Sequence, residues 1–270
     1  MNRKLLFFDV DGTLLAGGID GYVPESAIKG MRQAQANGHL CFVNSGRTRS
    51  FIPKLVRDFP FDGYVCGVGT DIQLHGETLL SVQIPEEVKR SLTQICHRCN
   101  MQIVAEGPYT IYYEDREDIY PGIKAILDSY ARGVDVEKPI STFDDEVLDF
   151  CKFIIFFDDD GDVPLFKELT KDHFYYIERE SYDGRNFAEI VPIGYDKGTG
   201  IDFLVDYFGL SLDDCYVFGD SNNDMSMLTH VKHSIAMGNS YPEILGKTEY
   251  VTTHIEQDGI YHALKHYELI

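Results

Sequence analysis

Short, almost unbroken apolar runs alternate with amphipathic stretches at both ends of this chain, and that alternation limits its fold more than any other feature. Residues 5–9 read as a strand that runs into Asp9-Val10-Asp11-Gly12-Thr13. Residues 25–37 place Ala27, Ile28, Met31 and Ala34 at helical spacing and stop at Gly38. Residues 40–43 are strand-like again, 51–59 helical and 64–68 strand-like. Strands without a polar face, separated by helices, describe a parallel sheet covered on both sides. The same rhythm returns after Gly194, with helices over 199–208, near 225–228 and near 259–266, and strands over 215–218 and near 235–236.

The middle reads differently. His75-Gly76 turns a hairpin between 72–74 and 78–80, and Pro85 opens a helix through about Cys99. Strands follow at 102–105, 110–113, 152–157, 174–179 and 187–191, with helices near 119–130 and 163–171. Several of these strands are adjacent in sequence, which predicts an antiparallel sheet with helices on one side. The expected fold is therefore α/β: a Rossmann-like parallel-sheet core of residues 1–82 and 193–270, with an inserted α+β cap of residues 83–192. The acidic run 158–162 holds Gly161 and precedes Pro164, so it reads as a turn.

Charge narrows the partners. Against 24 Lys and Arg stand 44 Asp and Glu, a net −20, which repels nucleic acid and anionic membrane surfaces. No apolar run reaches the roughly 18–20 residues that span a bilayer. The basic tip before Leu5 faintly suggests a secretory signal, but Asp9 and Asp11 interrupt its apolar stretch and no small-residue cleavage site follows. The expected location is the cytoplasm, and most of the six cysteines fit it by sitting in apolar runs. Cys96 and Cys99 form a lone CxxC around His97, without the second ligand pair a zinc site needs, and read as helix-packing residues. Neither heptads nor a long exposed apolar run speaks to oligomeric state.

Four polar clusters fall at predicted strand ends or at a helix start, the edge where open α/β sheets bind ligands. Asp9 and Asp11, two residues apart on an extended segment, project to one side and call for a cation between or beside them. Gly12 permits a sharp turn there, with neighbouring N–H groups available to an anion. Asn44-Ser45-Gly46-Arg47 offers a hydroxyl, a backbone N–H and a guanidinium to a phosphoryl group. Lys197 stands at a helix start, and Gly219-Asp220-Ser221-Asn222-Asn223-Asp224 gathers hard-cation oxygen ligands.

FFDVDGTLL, then SGR, then a lysine opening a helix, then GDSNNDMSML resembles the haloacid dehalogenase superfamily of phosphohydrolases. The large insert, with the late segments IAMGNSYPEI and EQDGI, is similar to its Cof-like branch, which carries a big α+β cap. That resemblance spans nearly the whole chain. It implies a phosphatase in which Asp9 is the nucleophile and Asp11 the acid, then base. Ser45 and Lys197 would hold the phosphoryl group, with Gly12, Gly46, Arg47 and Asn223 around it. Mg2+ would lie on Asp9, the Asp11 carbonyl and Asp220, with Asp224 orienting from behind. Asp11 should then be kept protonated by burial or by a neighbouring acid.

Two positions depart from the branch. Val68-Gly69-Thr70 stands where an Asn-Gly pair is usual, and Ser45 stands where Thr is commoner, keeping the hydroxyl. The insert would exclude water and select the leaving group. Its candidate readers are residues 109–114 and residues 180–186, the latter with Ser181, Tyr182, Gly184 and Arg185. A small phosphorylated metabolite, sugar phosphate-like, is the expected substrate. A phosphotransferase or phosphomutase would use the same Asp9 chemistry, and a non-catalytic Mg2+- or phosphate-binding regulator is the third reading.

Overall fold

The computed structural model describes residues 2–18, 21–133, 140–182 and 185–270. The chain opens with β1 (Leu5–Phe8), α1 (Glu25–Ala36), β2 (Leu40–Asn44), α2 (Lys54–Arg57), β3 (Gly63–Cys66), β4 (Asp71–Leu74) and β5 (Glu77–Ser81). It continues through α3 (Glu86–Arg98), β6 (Met101–Glu106), β7 (Ile111–Tyr113), α4 (Pro121–Gly133), β8 (Ile140–Thr142), β9 (Lys152–Phe157), α5 (Val163–Thr170), β10 (Phe174–Tyr182) and β11 (Arg185–Pro192). It ends with α6 (Lys197–Phe208), β12 (Cys215–Gly219), α7 (Met225–Leu228), β13 (His233–Ala236), α8 (Pro242–Leu245), β14 (Tyr250–Val251) and α9 (Gly259–His266).

These elements divide between two compact units, Met1–Arg47 with Ile52–Leu80 and Tyr195–Ile270, and Thr48–Phe51 with Ser81–Gly194. The short piece Thr48–Phe51 differs from the boundaries expected above. It belongs with the second unit because Ser50 N–H donates to the Pro108 carbonyl at 3.1 Å and Phe51 packs beside Val104, Ile111 and Phe156.

In the first unit one sheet runs β14-β13-β12-β1-β2-β3-β4-β5. Parallel pairing holds from β14 through β3, and β4 returns antiparallel. β1 is buried along its whole length, with Leu6 and Phe8 packing on α1 and α9 residues and Leu5 and Phe7 on Ile201 and Leu204 of α6. That two-sided burial is why the strand carries no polar residue; each Phe contributes roughly 1.5–3 kcal/mol by leaving water.

The second unit holds a sheet ordered β10-β11-β9-β6-β7-β8, antiparallel except for the β7–β8 pair. Helices lie on both of its faces, where the sequence predicted one. Ile103, Ile155 and Ala188 pack against α3 and α5 residues Leu92, Cys96 and Phe166, whereas Val104 and Phe156 pack against Ile123 of α4. The period-two alternation of β6 and β9 supplies an apolar residue to each side, so both faces need a cover.

Candidate active site

β1 lies between β2 and β12, so the strand order reverses around it and the carboxyl ends of β1 and β12 open a crevice. Asp9 follows β1 directly and its N–H donates to the Phe218 carbonyl at 3.0 Å, which pins it beside the end of β12. Asp220 and Asp224, in the turn that follows β12, approach the same point. One carboxylate oxygen from each of Asp9, Asp220 and Asp224 lies within 4.8 Å of the others, and all three residues are buried. Among the described residues no other group of acids, histidines or cysteines converges in this way.

Lys197 reaches this cluster because of how α6 begins. The Asp196 side chain accepts the Thr199 N–H at 2.8 Å while Thr199 Oγ1 accepts the Asp196 N–H at 2.9 Å, a reciprocal cap that fixes the first turn. Asn44 Nδ2 adds a bond to the Lys197 carbonyl at 3.0 Å. The Lys197 ammonium is fully buried and donates to Asp9 Oδ1 and Asp224 Oδ1, both at 2.5 Å. Asp224 Oδ2 accepts the N–H groups of Asp220 and Ser221 at 2.9 and 3.0 Å. Both Asp224 oxygens are thus engaged in holding its neighbours in place.

Three carboxylates share one ammonium here. Burial, then the charge of Asp224, pushes the Asp9 carboxyl up to about 7 even with Lys197 beside it. Burial, then the charges of Asp9 and Asp224, raises Asp220 to about 8, with the Thr13 hydroxyl opposing at 3.1 Å. Burial disfavours the charged Lys197 amine, but Asp224 and Asp9 outweigh it and the amine is held above its ordinary value. Ionised together, the four groups leave two negative charges uncompensated in a buried space. An all-oxygen donor set with that deficit fits a hard divalent cation. Gly12 sharpens the fit: at φ +82°, the space a Cβ would take is filled by the Asp220 carboxylate.

Asp11 departs from expectation. Its side chain is 51% exposed and lies outside the buried cluster, and both its oxygens accept from Arg47, at 2.7 Å from Nε and 2.9 Å from Nη2. The chain is not extended past Phe8: Leu14 and Leu15 N–H both donate to the Val10 carbonyl and Gly12 is left-handed, so the two-residue alternation of a strand no longer applies. Arg47, expected on the anion, is engaged with Asp11. Ser45 is buried at the end of β2, its N–H on the Val65 carbonyl at 2.8 Å and its Oγ accepting the Arg47 N–H at 3.2 Å; Gly46 lies between them. Asn223 Oδ1 accepts the Ser221 hydroxyl at 2.5 Å.

Thr13, Asn44 and Asp196 belong to the site's framework, although the sequence assigned none of them a role of its own. Asp196 alone left a clear trace, an Asp three residues before a Thr at a helix start. All six cysteines are free and buried, and burial holds the Cys96 thiol well above its ordinary value, as suits a packing residue in α3. Of the second unit's candidate readers, Tyr109 accepts through its hydroxyl from Arg49 Nη1 at 2.7 Å and Arg185 pairs with Asp158 at 3.0 Å. Gly184 lies outside the described residues.

A doubly wound parallel sheet with a buried acid triad, a buried lysine and a second, mostly antiparallel unit inserted after β5 defines a phosphohydrolase class of enzyme. The chain matches the family model for haloacid dehalogenase-like hydrolases over residues 6–264, and it belongs to that family, in its Cof-type branch. It is 24% identical over 277 residues to the HMP-PP phosphatase of Escherichia coli (strain K12), covering 98% of this chain and 95% of that one. Its fold is similar to that of the subclass IIB sugar phosphatase BT4131, with a TM-score of 0.77 and 27% identity over 99% of this chain and all of the other. A hypothetical protein from Geobacillus kaustophilus HTA426 is similar at a TM-score of 0.83, 25% identity and full coverage of both chains. The protein is a phosphatase. Among the described residues no helix is long and apolar enough to cross a membrane.

Proposed function

We propose that this phosphatase hydrolyses small phosphomonoesters, sugar phosphate-like in size, through a phosphoryl group carried transiently on Asp9 with Mg2+ as cofactor. The observation that carries the reading is the meeting of Asp9, Asp220, Asp224 and Lys197 in one buried cluster at the ends of β1 and β12. Names of relatives for HMP-PP and for sugar phosphates support a small phosphorylated metabolite. Six free cysteines support a reducing compartment, the cytoplasm.

Asp9 and Asp220 would hold the Mg2+, with the Asp11 carbonyl and with Asp224 behind them. Bound there, the ion supplies charge neutralisation for the carboxylates and the phosphoryl oxygens. Asp9 attacks phosphorus, the bond to the leaving oxygen breaks, and Asp11 delivers a proton to that oxygen. Lys197 and the Ser45 hydroxyl stabilise the charge spread over the phosphoryl oxygens. Water then attacks phosphorus, gives its proton to Asp11 and releases Asp9 and inorganic phosphate. Both Asp11 oxygens accept from Arg47, a pairing that favours the charged carboxylate, so loosening it would help Asp11 to carry a proton. The guanidinium group so released from Asp11 can turn toward the anionic ester. The inserted unit supplies selectivity for the leaving group.

Asp9→Asn keeps the shape of the site and removes the nucleophile. It should still unfold in a single cooperative transition and lose at least about 1,000-fold in kcat on a panel of phosphorylated sugars and nucleotides. Chelation with EDTA should abolish wild-type turnover and added Mg2+ restore it. Wild-type rates in the Asn variant, or full activity in EDTA, would remove the reading. Transfer of phosphate to an added sugar acceptor in place of release would mark a phosphotransferase.

A further inference from the structure

The late segment IAMGNSYPEI carries no acid into the cluster, yet it touches both loops that build it. The Met237 and Tyr241 N–H groups donate to the Gly219 and Asp220 carbonyls at 3.0 and 3.1 Å, tying down the loop after β12. Asn239 reaches across to the loop after β1, its Nδ2 donating to the Gly12 carbonyl at 2.8 Å while its Oδ1 accepts the Ile255 N–H at 2.9 Å. Using both ends at once requires a donor and an acceptor on one short planar group, which among the side chains means Asn.

The bond to Gly12 falls where the chain has least freedom to find its own geometry. Gly12 is left-handed, its α-carbon faces the Asp220 carboxylate with no room for a Cβ, and the next residue, Thr13, bonds Asp220 through its hydroxyl. The Gly12–Thr13 peptide therefore borders the acid cluster. A trans peptide is planar, with C=O and N–H on opposite sides, so holding the Gly12 oxygen also fixes the direction of the Thr13 N–H. Among the described residues that N–H has no acceptor of its own.

We propose that Asn239 is a positioning residue for phosphoryl transfer: by holding the Gly12 carbonyl it sets the orientation of the peptide bordering the acid cluster, and with it the N–H that meets the phosphoryl group. The proposal rests on the phosphatase reading above. It assigns the segment after β13 a part in catalysis although none of its side chains touches the reacting atoms.

Two variants test it. Asn239→Leu removes both bonds, and Asn239→Asp keeps the acceptor for Ile255 while placing an oxygen against the Gly12 carbonyl. With saturating Mg2+ and para-nitrophenyl phosphate, both should lose on the order of 10-fold or more in kcat with a smaller change in KM. Calorimetric binding of orthovanadate should weaken in the same proportion, and amide exchange should quicken across residues 10–15 while β12 stays protected. Folded variants with kcat and vanadate affinity within about twofold of wild type would overturn the proposal. So would a loss of stability with unchanged turnover per folded molecule. Should the wild type itself prove inactive on every ester, the phosphatase reading falls, and unchanged exchange at residues 10–15 in Asn239→Leu would separately defeat the positioning role.

Discussion

His39 precedes β2 with its ring buried, and its Nδ1 accepts the Lys4 N–H at 3.2 Å while Nε2 has no partner among the described residues. An imidazolium would put a proton on Nδ1 facing another N–H, so the neutral ring is the one that fits. Burial, then the charge of Lys4, lowers the His39 pKa from its ordinary value of 6.5. The folded state therefore binds this proton less readily than the unfolded chain. Stability from His39 is complete above about pH 6.5 and is lost as pH falls through the window below it. The urea midpoint of the wild type should drop more between pH 8 and pH 5 than that of His39→Asn, whose side chain does not titrate. Equal drops would assign the acid sensitivity elsewhere. Single residues were also where sequence reading was weakest. Asp9, Asp220 and Asp224 could be singled out because each stands in a polar cluster after an apolar strand, and Lys197 because a lysine opening a helix completes the pattern that the chain resembles. The fate of Asp11 could not, since it depends on a left-handed Gly12 and on Arg47, which arrives from a different strand.

At the level of elements, periodicity announced β1, β2, β9 and α1 to within a residue or two, because each is a wholly or almost wholly buried strand or carries a clear helical stripe. It failed where length or one residue overrides the pattern. The helix expected over 51–59 shrinks to α2, because Pro53 has no N–H and confines the helix to the residues after it. The strand expected through Val68 stops at Cys66, since Gly67, Val68 and Gly69 all take positive φ. β8, α8 and β14 are too short to show a period, and tertiary pairing alone makes them. The second sheet also hides a feature no pattern reveals: Lys152 on β9 stands directly across from Glu106 on β6, paired to it at 3.0 Å and to Glu189 on β11, with all three side chains at most 8% exposed. Lys152→Met would strand two carboxylates out of water, and should cost about 3–5 kcal/mol. Replacing all three residues by Met removes the charges together and should cost less than the single change. Urea unfolding of the two variants decides between this and a triad whose partners act independently.

Over the whole molecule the charge is −20, while the three carboxylates and one ammonium of the site sum to −2, which the divalent cation proposed above would bring close to neutral. On that proposal a phosphomonoester dianion would be repelled at long range and held only at the last few ångströms. Those two fields respond differently to salt. Raising ionic strength from about 0.01 to 0.15 M shortens the screening length from about 30 to 8 Å, which removes most of the distant repulsion and leaves contacts within the buried cluster largely intact. At saturating Mg2+, kcat/KM for a dianionic ester should rise by about two- to fivefold over that range, with kcat nearly unchanged because the bound complex no longer feels the distant charges. A fall in kcat/KM instead would mean that cations near the entrance outweigh the acidic surface and steer the substrate in. The direction of the salt effect thus separates an enzyme that tolerates its acidity from one that has reversed it locally.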